Sequence, residues 1–193
     1  MFKEPYAKLH RQKSCREALL KELKKLDREV ISAGIHKSDG AKVVGSDGVK
    51  LIDIAVQNHY GNEWIMPRTV RFQKNGKWFV IKKDTHIKIP AARFVSRLIE
   101  NQQERVRLLD EVQANLHIQF SNANRFGEIK ISDTVKNIGQ YMKNRIKSYI
   151  DDRVFEINAP MTVEAKGFDQ RLKDKGLLYE SIDWRSKKQR KHS

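Results

Sequence analysis

The chain has 193 residues, of which 39% are apolar and 33% charged, and its formal net charge is +15. This length and apolar content suffice for one ordinary domain with a hydrophobic core. The basic excess favours a polyanionic partner, such as nucleic acid, an anionic membrane or an acidic protein surface. The single cysteine, Cys15, excludes an intrachain disulfide framework and a cysteine-based metal site, and is typical of a reducing compartment.

The sequence also lacks the signals of secretion and membrane insertion. The N-terminal residues MFKEPYAKLHRQKS contain no apolar run of the kind found in a secretory signal. No stretch approaches the roughly 20 apolar residues that a membrane-spanning helix needs. We therefore expect a soluble protein that is made in a cytoplasm.

The first predicted element is a helix over residues 14–30. Ser14 and Glu17 have the spacing of a capping box, and leucines recur every three or four residues as one apolar stripe. Residues 29–36 favour a short strand, and the glycine-rich residues 37–48 favour a loop or a hairpin. A second helix is predicted to end at Gly61. Its apolar side consists of Leu51, Ile52, Ala55, Val56 and His59.

Residues 69–82 carry the clearest local signal in the chain. Asn75-Gly76 is the dipeptide of a type I′ hairpin turn, and a β-rich run stands on each side of it. We predict strands near 69–74 and 77–82. Val70 and Phe72 alternate with charged residues in the first strand, and Trp78, Val80 and Lys82 alternate in the second.

The second half of the chain is predicted to be mostly helical. Pro90 favours an extended start, after which a helix carries two apolar patches. A long helix is predicted near 132–151, and residues 158–184 predict short helices followed by a strand. The patches of the first helix are Phe94, Leu98 and Ile99, and then Val106, Leu109, Val112 and Leu116.

These elements predict an α+β fold. It would contain a small, mostly antiparallel sheet with a β-hairpin, covered by several helices that include a long N-terminal one and the one near 132–151. We expect a single domain over residues 1–184, with an N-terminal helical extension over about 1–30. Residues 185–193 form a basic, flexible tail in this interpretation.

No pattern of catalytic or metal-binding residues stands out. The six histidines include no HExxH spacing, and the Walker A, dinucleotide-binding and GxSxG motifs are missing. His59, on an apolar helix face, is better explained as a packed histidine than as a ligand. Asp151, Asp152, Glu164 and Asp169 would suit a Mg²⁺-dependent nuclease only if their carboxylates converged on one site. A solvated helix end is the better explanation of the Asp151-Asp152 pair. We predict no catalytic residue, no cofactor and no metal.

Two basic regions allow alternative interpretations. Trp78 and Phe79 lie near Lys77, Lys82 and Lys83, so their rings either stack on bases or build the packed face of the hairpin, the commoner role. The C-terminal charges form either a solvated tail or an arm that contacts phosphates or an acidic partner. The basic residues of that tail are Arg185, Lys187, Lys188, Arg190 and Lys191.

Four segments stand in a recognisable order. They are AVQNHYGNE (55–63), IPAARFVSRLIE (89–100), the long helix, and NAPMTVEAKGFDQRLKDKGLLYESIDW (158–184). This order resembles the virion morphogenesis family of tailed bacteriophages, whose members complete the tail or join head to tail at the neck. The positions that match the family motifs are Tyr60, Gly61, Pro90, Phe94, Pro160, Thr162, Lys166, Gly167, Asp174, Gly176, Leu178, Ser181 and Ile182.

The chain departs from the family pattern at several polar positions. His59 replaces a glutamate and Tyr60 a phenylalanine, Ala92 and Arg93 replace an arginine and a proline, and Lys175 replaces a threonine. These departures affect particular polar contacts and leave the backbone plan of the motifs intact.

The resemblance implies a non-enzymatic structural protein of the virion, made in the cytoplasm of a bacterial host. Such a subunit assembles as a homo-oligomeric ring at the neck or the top of the tail. Its partners would be tail tube, connector or neck subunits and the genomic DNA that passes through. Two alternatives stay open: a sequence-independent DNA-binding or packaging-associated protein, and a metal-dependent nuclease.

Overall fold

The structure, a computed structural model, describes residues 16–44, 48–126, 129–152, 162–164, 172 and 176–188. The predicted α+β class is confirmed. The helices are α1 (residues 16–26), α2 (Lys37–Gly40), α3 (Leu51–Tyr60), α4 (Arg97–Glu100), α5 (Gln102–Phe126), α6 (Ile131–Asp151) and α7 (Leu177–Glu180). The strands are β1 (Glu29–Ile35), β2 (Asn62–Ile65), β3 (Val70–Lys74), β4 (Lys77–Ile81), β5 (His86–Ile89) and β6 (Ile182–Lys188). No described helix is long and apolar enough to cross a membrane.

The described strands form three separate pairs, where the sequence predicted one small sheet. These pairs are β1 with β6, β2 with β5, and β3 with β4. The pairing of β2 with β5 is antiparallel and sets Trp64 opposite Ile87. The sequence analysis missed β2, because its four residues lie between the helix-ending Gly61 and a proline and are too few to show an alternation.

The chain is organised as two compact units. One unit consists of the described parts of residues 1–33, 99–142 and 184–193. The other consists of the described parts of residues 34–98 and 143–183. Both units are therefore built from segments that are distant in sequence.

The β3–β4 hairpin has the predicted turn, but only one of the two adjacent rings of its second strand is buried. Asn75 and Gly76 have φ values of 51° and 76°, as a type I′ turn requires. This turn pairs Phe72 with Phe79, whose rings stack at 5.3 Å, and Phe79 is buried. Trp78 is 69% exposed, so of the two rings expected to build the packed face of the hairpin, Phe79 does so and Trp78 does not. Alternation within β4 was ambiguous because four consecutive residues are apolar, and only the cross-strand register decides the face.

The N-terminal helix ends earlier than predicted. It stops at residue 26, and the chain enters β1 at Glu29. The amide of Asp27 still donates to the carbonyl of Leu23, which closes the last turn. The β-branched Val30 and Ile31 favour the strand over a further helical turn. The predicted cap, Ser14, lies outside the described residues.

The predicted helix after Pro90 is divided at Asn101. The side-chain oxygen of Asn101 accepts hydrogen bonds from the amides of Gln103 at 2.9 Å and Glu104 at 3.3 Å. These are the contacts of a helix N-cap, so α5 has its own start and α4 is a separate turn. Asn101 and Glu104 have capping-box spacing, which was the signal that the sequence analysis overlooked.

The sequence of α6 predicts an apolar stripe of Val135, Ile138, Met142, Ile146 and Tyr149, of which Met142 is half-buried. Val135, Ile138, Ile146 and Tyr149 are all buried. The helix also closely approaches β6. A Cβ atom added to Gly139 would lie only 2.2 Å from Cε3 of Trp184. Glycine is needed here because the indole lies directly on the helix backbone.

We expect Gly139→Ala to destabilise the protein. Overpacking costs about 1–3 kcal/mol, which outweighs the gain of up to about 1 kcal/mol that alanine gives in a helix interior. Urea unfolding monitored by circular dichroism measures the difference. The control is Lys136→Ala on the exposed side of the same helix, which should change stability little. A Gly139→Ala variant as stable as the wild type would contradict the close contact.

The hairpin register makes a second prediction. Phe79→Ala should lower the free energy of unfolding by about 3 kcal/mol, because it removes a buried ring. Trp78→Ala should change it by less than about 1 kcal/mol, because the exposed ring loses few contacts. Urea unfolding of both variants measures this contrast, and equal losses would show that the assigned register is incorrect.

Candidate functional site

The first group of motif positions fixes how the chain leaves α3. Gly61 has φ of 81°, and a Cβ there would lie 2.9 Å from the carbonyl oxygen of Ile89 and 3.0 Å from the amide nitrogen of Ala91. The amide of Ala92 donates to the carbonyl of Asn58 at 2.8 Å. The amide of Arg93 donates to that of His59 at 2.9 Å. The segment after β5 therefore satisfies the free carbonyls at the end of α3.

Phe94 completes this contact from the hydrophobic side. It is 1% exposed, and its ring meets the ring of His59 edge-on at 5.3 Å. The amide of Val95 approaches Nδ1 of His59 at 3.5 Å, which is long for a hydrogen bond. His59 is buried and has the surroundings of a packed histidine. Tyr60 is the exception in this group, because it is 73% exposed.

The second group of motif positions builds the turn around α7. Gly176 has φ of 74° at the helix start, and the hydroxyl of Ser181 donates to the carbonyl of Leu177 at 2.8 Å. Leu178 and Ile182 are buried, at 5% and 0% exposure. α7 contacts α3, so both groups belong to one packed region of the second unit. Thr162 lies in the helical residues 162–164, whereas Pro160, Lys166, Gly167 and Asp174 lie outside the described residues.

Apart from the exposed Tyr60 and the half-buried Thr162, the described motif positions are thus core and turn residues. They set the backbone path, and none of them presents a reactive group in a cleft. The described part of the basic segment at the C-terminus belongs to a strand. Arg185, Lys187 and Lys188 lie in β6, so the predicted tail begins within a strand, while Arg190 and Lys191 lie outside the described residues.

The carboxylates considered for a nuclease site have separate partners. Asp151 accepts a hydrogen bond from the hydroxyl of Tyr179 at 2.8 Å. Glu164 forms an ion pair with Lys77 at 3.1 Å. Asp169 lies outside the described residues. The part of the chain that the structure describes contains no group of three or more metal-ligating side chains.

The outer face of the hairpin is a distinctive exposed surface. The register places Gln73 opposite Trp78 and Arg71 opposite Val80 on one side of the ribbon, and all four side chains are exposed. Residues 67–83 contain six lysine or arginine residues and no aspartate or glutamate. We call Arg71, Gln73, Trp78 and Val80 the hairpin outer face. It combines one large aromatic ring with concentrated positive charge.

A second exposed surface lies on α5, where the predicted burial is reversed. Val106 and Leu109 are 50% and 60% exposed, although the sequence analysis assigned them to an apolar patch. Leu116 and Phe120 continue the same line and are half-buried. These four residues recur at steps of three, seven and four, which is the spacing of a coiled-coil seam. We call Val106, Leu109, Leu116 and Phe120 the α5 stripe.

The polar side of α5 is buried instead, and its groups are hydrogen-bonded. Asn115 accepts from the side-chain amide of Asn137 on α6 at 2.7 Å and donates to the carbonyl of Glu111. Gln119 accepts from the amide of Lys130 at 2.9 Å. Buried amides are stable when such partners are present, so α5 packs on α6 through its polar side. The apolar periodicity of the sequence does not predict this contact, because asparagine and glutamine are counted as solvent-facing residues in such a pattern.

We predict that Asp151→Asn lowers the pKa of Tyr179. The hydrogen bond to Asp151, burial and the carboxylate charge all raise that pKa. The interaction therefore stabilises the fold below the usual tyrosine pKa, and this contribution is lost as the pH rises through the raised value. Ultraviolet difference titration of the two proteins measures the pKa, and an unchanged value would contradict the contact. The Tyr179→Phe variant lacks the titrating hydroxyl, so comparison with it identifies the part of the absorbance change that comes from Tyr179.

No family model matches the chain, and no curated protein or solved structure shows significant similarity to it.

Proposed function

We propose that the chain is a structural subunit of a tailed-bacteriophage particle and catalyses no reaction. It assembles as a homo-oligomeric ring at the neck or the top of the tail, where it contacts connector, neck or tail tube subunits. The order of the four sequence motifs supports this proposal. The α5 stripe is the structural observation that carries it, because an exposed apolar surface with regular spacing suits contact with another subunit.

The charge distribution favours a second copy of this chain as one neighbour of the α5 stripe. Like-charged subunits with a formal charge of +15 repel each other unless their contacts avoid the basic surfaces. Helix α5 carries three arginines and three carboxylates, so its own formal charge is zero. Self-association through this helix therefore has a low electrostatic cost. A ring further requires that the stripe meets a different surface of the next copy, because contact of two stripes would close a dimer.

The positive charge found elsewhere on the chain suits the other partners of a neck subunit. A basic surface facing a channel makes phosphate contacts that do not depend on sequence, and a basic rim suits an acidic neighbouring protein. The alternative of a free DNA-binding or packaging protein draws on the same charge. A gel-shift salt series with duplex DNA separates the two functions, since tight binding at physiological salt favours the alternative.

We expect Val106→Glu combined with Leu109→Glu to prevent self-association. Each substitution places a carboxylate on the α5 stripe, which must be desolvated in any contact. Sedimentation velocity over a range of protein concentrations measures the oligomeric state. The wild type should form a discrete species larger than a dimer as concentration rises, and the double variant should remain a monomer.

The matched control is Val43→Glu, since Val43 is 60% exposed and lies outside α5. This variant should assemble as the wild type does. Wild-type protein that remains monomeric at every concentration would contradict self-assembly in isolation, and a closed dimer would contradict the ring. Equal loss of assembly in Val43→Glu would show that the contact does not involve the α5 stripe specifically.

A further inference from the structure

Trp78 is the exposed aromatic ring at the centre of the hairpin outer face. It is 69% exposed, whereas its neighbour Phe79 is buried against Phe72. The stacked pair of Phe72 and Phe79 holds the ribbon, so the indole adds little to the packing of the hairpin. Along β4, Trp78 and Val80 point to the same side, with a step of about 6.7 Å between the two side chains. The exposed Lys82 follows directly after the strand ends at Ile81.

The formal charges of the hairpin segment itself, residues 67–83, are all positive. Arg71 lies across from Val80 on the same face, and Arg68, Lys82 and Lys83 are exposed in the adjoining segments. The ammonium group of Lys77 lies 3.1 Å from the carboxylate of Glu164, which belongs to the same unit. This cation at the turn therefore already has a carboxylate partner. The hairpin thus presents a flat aromatic surface flanked by arginine and lysine side chains.

We propose that the hairpin outer face binds single-stranded nucleic acid. Trp78 stacks on an unpaired base, and Arg71 and Lys82, both further from the turn than Trp78, contact phosphates further along the same strand. Proteins that bind single strands without sequence preference combine these two features, aromatic stacking and a basic track along the backbone. Duplex nucleic acid fits the face less well, because its bases already stack on each other and expose only their edges. This binding does not depend on the ring assembly proposed above.

An anionic membrane is the other polyanion that tryptophan and lysine suit. A hairpin that enters a membrane leads with apolar residues at its tip, whereas the tip here is Lys74-Asn75-Gly76-Lys77. Trp78 projects from one face of the ribbon, opposite the polar Gln73, and not from its tip. The surface is therefore better suited to a chain that lies along the ribbon than to the interior of a bilayer.

The test is fluorescence anisotropy with the full-length chain and a labelled oligothymidine of about 15 nucleotides. At physiological salt, Trp78→Ala should weaken binding about tenfold, and Trp78→Phe should retain most of the affinity because the ring stays. The same strand in a duplex should show less than about a twofold effect of Trp78→Ala. An unchanged single-strand affinity in Trp78→Ala would overturn the proposal.

A charge-matched pair of variants tests the phosphate contacts. Arg71→Gln with Lys82→Gln should weaken binding and reduce its salt dependence by about two charges. Lys21→Gln with Lys24→Gln, on the exposed side of α1, removes the same charge elsewhere and should have a smaller effect. Equal losses in both double variants would overturn the assignment of the site, since binding would then follow net charge alone.

Two further measurements separate other outcomes. Vesicles rich in phosphatidylserine should not compete with the oligothymidine, and Trp78-dependent vesicle binding without oligothymidine binding would overturn the proposal in favour of a membrane. Circular dichroism should show unchanged unfolding of Trp78→Ala, because the ring is exposed. Sedimentation of this variant should match the wild type, so a failure here is distinguishable from a failure of ring assembly.

Discussion

Two hydrogen bonds to side-chain amides of α5, one from α6 and one from the residue just before it, decide which side of α5 remains exposed. Asn137 donates to Asn115, and the backbone of Lys130 donates to Gln119, so the polar side of α5 is the side that packs. Had the apolar side packed instead, these amides would face solvent and the α5 stripe would belong to the core. Hydrogen-bonded amides in a buried contact demand specific geometry, which apolar side chains do not. The exposed stripe, and with it the proposed assembly, depends on this arrangement.

The hairpin follows the same principle on a smaller scale. A two-residue turn fixes the pairing of Phe72 with Phe79, and the strand pleat then directs Trp78 to the opposite side. In both places a local constraint selects the buried face, and the remaining face carries aromatic or aliphatic residues that are exposed or half-buried. The described motif positions, such as Gly61 and Phe94, show the complementary case. These residues form turns and core contacts. The surfaces proposed for binding therefore lie outside the motifs.

Sequence patterns predicted the elements with strong local signals. The Asn75-Gly76 turn, the helix ending at Gly61 and the buried stripe of α6 all follow from short-range chemistry. Burial was predictable where apolar residues recur on one face, and wrong where it depends on a partner strand or helix. The partner of α5 is specified by amide pairing across about twenty residues of sequence, which a periodicity analysis cannot recognise. Similarly, β2 exists because β5 pairs with it, and its own four residues carry no distinguishing pattern.

The function proposed for this chain is the presentation of exposed surfaces to neighbouring subunits. Its most direct test is cryo-electron microscopy of tailed particles purified from the host that produces the chain, with the head–tail junction reconstructed separately. We expect several copies of the chain in a closed ring at the neck or the top of the tail, with the α5 stripe buried between adjacent copies. Particles that lack the chain, or that hold it with α5 facing solvent, would contradict this account.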